Sequence, residues 1–96
     1  MHTSNYPKTT LGVFPTPIAE LPGLTKKLGG PQIFIKRDDL TGLALGGTKT
    51  RKRETILGDA LAQGCDTIIT AGAAQSNHCR QTAAAAAKLD MDCHLI

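Results

Sequence analysis

Up to Pro31 the apolar and polar positions follow no regular period. All five prolines fall in this stretch, at Pro7, Pro15, Pro17, Pro22 and Pro31. Each fixes φ and removes a backbone donor. Residues 1–31 are therefore predicted to form an extended, irregular lead-in, with one short helix over 22–28 that stops at Gly29-Gly30. In "PQIFIKRDD", Ile33 and Ile35 alternate with Phe34 and Lys36, which predicts a strand ending at the aspartates. "LTGLALGG" then reads as a glycine-punctuated loop.

From Thr48 the period lengthens. Arg53, Ile56, Leu57, Ala60 and Leu61 share one helical face, with Thr48 or Thr50 as the N-cap and Gly64 as the stop. "DTIITAG" (66–72) is a short, β-branched apolar run of the kind buried in parallel sheets. An alanine-rich helix follows from Asn77 to Leu89, and "DCHLI" (92–96) begins another strand. The order strand, helix, strand, helix, strand with short links predicts right-handed βαβ crossovers. The expected class is α/β, a single domain over 1–96 with a parallel βαβαβ sheet in 32–96. So few strands leave edges and faces bare, and the chain reads as the front portion of a larger unit.

Composition narrows this picture. With 41% hydrophobic residues but 3% aromatics and no Trp, a core must be built from Ala, Ile and Leu. The formal charge of +3 is local, because Lys49, Arg51, Lys52 and Arg53 supply it and the remainder is slightly acidic. Cys65, Cys79 and Cys93 cannot all pair within the chain and show no C-x-x-C spacing, so free thiols are expected. "MHTSNYPKTT" has no apolar signal-peptide core, and the longest uninterrupted hydrophobic run is Ala83 to Ala87. No membrane partner and a cytoplasmic location are expected. His2 and His94 carry no readable chemistry, and no metal-ligand spacing is present.

The candidate chemistry begins at "GGTKTRKRE" (46–54). A nucleic-acid surface would need further basic residues on the same face and stacking aromatics, and it has neither. A phosphate loop requires the lysine directly after its glycine, whereas Thr48 intervenes. A merely solvated basic turn is disfavoured, since cations at a helix N-terminus oppose its dipole by about 0.3–1 kcal/mol each. The remaining reading makes Lys49 a nucleophile: neighbouring cations destabilise its protonated form and favour the free amine that attacks a carbonyl.

The second candidate is "TAGAAQSNHCRQTAAAAAK", which runs from a strand end into a helix N-terminus, where open parallel sheets bind ligands. Ser76 and Asn77 are also favoured N-caps. Capping alone does not account for Gln75, Ser76, Asn77 and His78 in succession. Ser76 and His78, two positions apart in the chain, are not read as a catalytic dyad. "KRDD" reads as strand-end charges in salt bridges rather than as an acid–base pair.

Together, "IKRDDLTGLALGGTKTRK" and "DTIITAGAAQSNHCRQTAAAAAKL" resemble the front of the pyridoxal-phosphate-dependent D-cysteine desulfhydrases and 1-aminocyclopropane-1-carboxylate deaminases, of the tryptophan-synthase-β-like fold. "QSNH" followed by "CRQTAAAAA" is more similar to the desulfhydrase branch. The resemblance runs from about Pro15 to Ile96. It implies that Lys49 holds pyridoxal 5'-phosphate covalently and that Asn77 hydrogen-bonds the ring's phenolic oxygen. Ser76 would lie near the substrate carboxylate and Cα and handle protons, and Gln75 and His78 would line the same turn. The implied reaction converts D-cysteine to pyruvate, hydrogen sulfide and ammonia, with a small amino acid as substrate and a homo-oligomer as the family's assembly.

Three positions depart from that pattern. Thr48 stands where the family usually has Asn, Arg53 where it has Leu, and Asp90 where it has a helix-ending Gly. Arg53 lies on the predicted apolar stripe, where an unpaired guanidinium costs several kcal/mol unless its stem reaches water. The family's glycine-rich phosphate loop, ring-nitrogen partner and tyrosines correspond to nothing in this sequence. The expectation is an inactive, marginally folded front portion of such a lyase. Its rival is a non-catalytic remnant serving as a small binding or interaction module, and a deaminase fragment is a further alternative.

Overall fold

The computed structural model describes residues 3–96, and His2 lies outside the described residues. After a 3₁₀ turn at Thr3–Asn5 come strand β1 (Ile18–Glu20), helix α1 (Pro22–Leu28) and strand β2 (Phe34–Lys36). Two further 3₁₀ turns, Asp38–Leu40 and Leu43–Leu45, lead to helix α2 (Lys49–Ala62). Strand β3 (Thr67–Thr70), helix α3 (Asn77–Lys88) and strand β4 (Asp92–Leu95) complete the order.

The strands form two separate two-stranded sheets. β3 and β4 pair in parallel, Thr67 opposite Asp92 through Thr70 opposite Leu95, with α3 as the crossover. This half of the expected βαβαβ unit is present. The first strand is not part of it: β2 pairs antiparallel with β1, Ile18 opposite Lys36 and Glu20 opposite Phe34. The lead-in thus supplies a strand that its proline content conceals. The four residues between Pro17 and Pro22, three of them in β1, are too few to show a period.

Local rules explain the helix ends. α1 starts on Pro22, whose missing N–H is tolerated in a first turn, and ends at Gly29 in the left-handed region (φ 64°). α3 ends the same way at Asp90 (φ 55°), a residue type whose short side chain tolerates that conformation.

The apolar stripe expected on α2 is rotated. Thr50, Arg53, Leu57 and Gly58 are buried, while Ile56 and Leu61 are exposed. The lead-in causes this by crossing α2 so closely that a Cβ on Gly58 would lie 2.6 Å from the Lys8 Cα. The Thr9 amide donates to the Glu54 carbonyl, and the Leu11 and Gly12 amides both donate to Glu54 Oε1 (3.0 and 3.1 Å). β3 is also less enclosed than its composition suggests, since Ile69 is 66% exposed. The core that results is small: Leu11, Leu43, Leu57 and Ala85, with Ile68, Ala84 and Leu89 packed against it.

Candidate functional site

The turn leading to Lys49 is held on both sides. Asp38 accepts from Gly47 N through its carbonyl (2.8 Å) and from Arg51 Nε and Nη2 through its carboxylate (2.9 and 2.8 Å). Thr16 donates to the same carboxylate (2.9 Å), and the Arg51 guanidinium lies over the Phe14 ring, 4.5 Å from its centroid. Gly46 sits at φ 77°, where a Cβ would lie 1.9 Å from the Asp39 carbonyl oxygen, so only glycine closes this turn. Ala44 and Leu45 also take positive φ (46° and 70°), so the loop is held in a conformation that non-glycine residues rarely adopt.

Thr48 occupies the N-cap position of α2 with helical dihedrals and no side-chain cap bond. Thr50, the other candidate cap, is instead buried with its hydroxyl 3.2 Å from that of Thr41. The first turn of α2 therefore presents Lys49 and Lys52 with no acid among its residues. They open onto a cleft of about 320 Å³ lined by Thr48, Lys49, Lys52, Arg53, Ile56 and His78. Among the described residues no carboxylate lines it.

α3 delivers His78 to the opposite wall. Ser76 adopts an extended conformation (φ −66°, ψ 124°), and its Oγ accepts from the His78 and Cys79 amides (3.2 and 3.4 Å). Ser76 is the helix cap and makes no bond to the imidazole, which instead has its Nε2 2.7 Å from the Thr70 hydroxyl. Gln75, Ser76 and Asn77 sit on the same turn, one to three residues before His78, but are not among the cleft's lining. Gln75 and Asn77 are exposed. Of the five candidate residues, Lys49 and His78 share the cleft.

Arg53 is the residue whose part sequence reasoning missed. Its stem does not snorkel to water: it is 5% exposed. It donates from Nε and Nη2 to Thr82 Oγ1 (3.1 and 2.7 Å), from Nη1 to Gln81 Oε1 (3.2 Å), and from Nη2 to the His78 carbonyl (2.6 Å). Its Nη2 also lies 3.0 Å from His78 Nδ1. The penalty expected for an unpaired guanidinium is met by neutral acceptors, and no salt bridge involves Arg53 among the described residues. Burial pulls its pKa below the ordinary value. The available signal was a coincidence of two irregularities: a cation on the buried face of α2, and Gln81-Thr82 at the head of an alanine run. Gln81 in turn donates to the Gly46 carbonyl, joining α3 to the loop before Lys49.

"KRDD" behaves as expected, with Arg37 paired to Asp39 (2.7 Å) and Arg51 to Asp38 (2.8 Å). Cys65, Cys79 and Cys93 are free thiols. Among the described residues no group of His, Cys, Asp and Glu could hold a metal ion, and no helix is long and apolar enough to cross a membrane.

Comparison with known proteins gives this arrangement a context. The chain is 54% identical over 92 residues to D-cysteine desulfhydrases of Salmonella paratyphi B and Salmonella newport, covering 96% of this chain and 28% of each relative. It also superposes on the crystal structure of a homologue of ACC deaminase with a TM-score of 0.90 at 48% identity, covering 96% of this chain and 28% of that one. It spans just over a quarter of the length of these proteins. The family model of pyridoxal-phosphate dependent enzymes matches residues 9–96, and the chain belongs to that family.

Proposed function

We propose that the chain is the front portion of a pyridoxal-phosphate-dependent carbon–sulfur lyase acting on D-cysteine or a closely related small amino acid. It contributes the cofactor-bearing lysine and one wall of the active cleft. The observation that carries this reading is the cleft itself: an amine, Lys49, at a helix start beside Lys52 and Arg53, with no carboxylate among the described residues that line it. Such a donor set suits an anionic molecule that bears a carbonyl.

Lys49 forms the covalent attachment, and Lys52 supplies a flexible cation for the anionic part. His78, fixed by α3, limits the cleft on the far side. Ser76 and Asn77 stand at the positive end of α3, where an anion or a phenolate oxygen finds favourable potential. When bound, pyridoxal phosphate supplies an electron sink for charge developed at the substrate's Cα. The identity to D-cysteine desulfhydrases at 54% favours that substrate class over the deaminase reaction.

The test is covalent capture. Pyridoxal phosphate is added to the purified chain, the adduct is reduced with borohydride, and modified peptides are mapped by mass. Before reduction the chain should be yellow, a colour that Lys49→Ala abolishes, and after reduction the modification should concentrate on Lys49. Lys49 is exposed, so the substitution leaves the fold intact. Labelling spread evenly over the lysines, or none, would favour a non-catalytic module.

A further inference from the structure

We infer that Arg53 locks His78 as the neutral imidazole with its proton on Nε2, so that Arg53 is a positioning residue for the wall facing Lys49. A guanidinium carries only donors and stays protonated in proteins. With Arg53 Nη2 3.0 Å from His78 Nδ1, that ring nitrogen must offer its lone pair. A proton on Nδ1 would set N–H against N–H. The neutral ring then carries its hydrogen on Nε2, which donates to the Thr70 hydroxyl at 2.7 Å.

Nη2 has two hydrogens and three acceptors in reach, Nδ1, the His78 carbonyl and Thr82 Oγ1, so one hydrogen is shared. Sharing weakens each bond but does not change which partner donates. The guanidinium cannot swing away, because it is buried and Gln81 and Thr82 hold its other nitrogens.

The charges acting on the ring agree. From α2, Lys49, Lys52 and Arg53 all face it, while β3 contributes the uncharged Thr70 hydroxyl. Partial burial first, and then these three cations, hold the imidazole's pKa below its ordinary value. A ring with both nitrogens engaged and no charge is a fixed neutral surface and not a proton carrier. Among the described residues that line the cleft, charge then comes from Lys49, Lys52 and Arg53.

This inference stands on side-chain geometry and is separate from the cofactor reading, since the His78 proton can be read whether or not Lys49 takes pyridoxal phosphate. Long-range ¹H–¹⁵N correlation spectra of the purified chain distinguish the two tautomers of each histidine. His78→Gln assigns the signal. The expected spectrum shows His78 as the Nε2–H form at neutral pH, titrating below the ordinary imidazole midpoint. In Arg53→Leu the preference for Nε2–H should fall and the midpoint rise towards the ordinary value. Thr70→Val, which removes only the Nε2 partner, should leave Nδ1 unprotonated. A wild-type His78 that is charged or carries its proton on Nδ1 at neutral pH overturns the inference without any variant. So does an unchanged His78 in a folded Arg53→Leu chain. If that variant does not fold, a protonated Nδ1 in Thr70→Val has the same force.

Discussion

Asp38 shows how one carboxylate can govern the approach to a site it never enters. Its oxygens accept from both Arg51 nitrogens and from Thr16, and its carbonyl holds Gly47 two residues before Lys49. The Arg51 hydrogen bonds hold its pKa at about 2, down from an ordinary 3.8, although burial works in the opposite direction. A carboxylate whose folded pKa is depressed stabilises the fold above its unfolded value, and that contribution disappears as pH falls through the folded one. Thermal midpoints of wild type and Asp38→Asn should therefore differ most above about pH 4 and converge by about pH 2. A gap that is unchanged across this interval would mean the Arg51 pairing does not persist in solution. The neighbouring Asp39 is lowered as well, mainly by its hydrogen bond to Arg37, so the comparison must be between the two proteins and not with the absolute curve.

The two long helices begin differently. α3 has a conventional cap, Ser76 Oγ accepting two amides, whereas α2 starts on Thr48 without one and carries Lys49, Arg51 and Lys52 against its dipole. Removing the α3 cap by Ser76→Ala should reduce stability by about 1 kcal/mol in urea denaturation, and Ser76→Asp should restore most of it. No loss in the alanine variant would free Ser76 of its structural duty. Both helices were legible because glycine and alanine act locally. The position of Lys49 at the start of α2 was legible for the same reason, as a cation placed where a helix disfavours it. The facing direction of α2 was not, because the lead-in's contact at Gly58 is set fifty residues away. Nor was the β1–β2 pairing, which joins runs of three residues. Arg53 was recognised as an anomaly, but its acceptors lie 25 to 29 residues further on, and spacing alone does not bring them to it.

At the scale of the molecule, the chain is looser than its mass requires. A monomer of 10.1 kDa is expected to expose about 5,300 Å², against 6620 Å² here. The radius of gyration is 16.4 Å, where about 12.5 Å is typical of a compact domain of this length. The excess is partly apolar: Ile69 and Ile96 are 66% and 81% exposed, beside a two-stranded sheet whose outer edges pair with no other strand among the described residues. Open edges next to apolar side chains favour pairing with another chain. Self-association that rises with concentration should therefore appear in sedimentation velocity. Ile69→Lys should suppress it, because a charge at the middle of β3 must be desolvated to dock against a second sheet. An exposed site tolerates the change within about 0.5 kcal/mol, so the folded monomer survives it. A wild type that stays monomeric at every concentration would show that these edges are protected by their own twist and brevity. Equal association in Ile69→Lys would move the contact to the β1–β2 sheet, where Ile18 and Phe34 are 67% and 55% exposed.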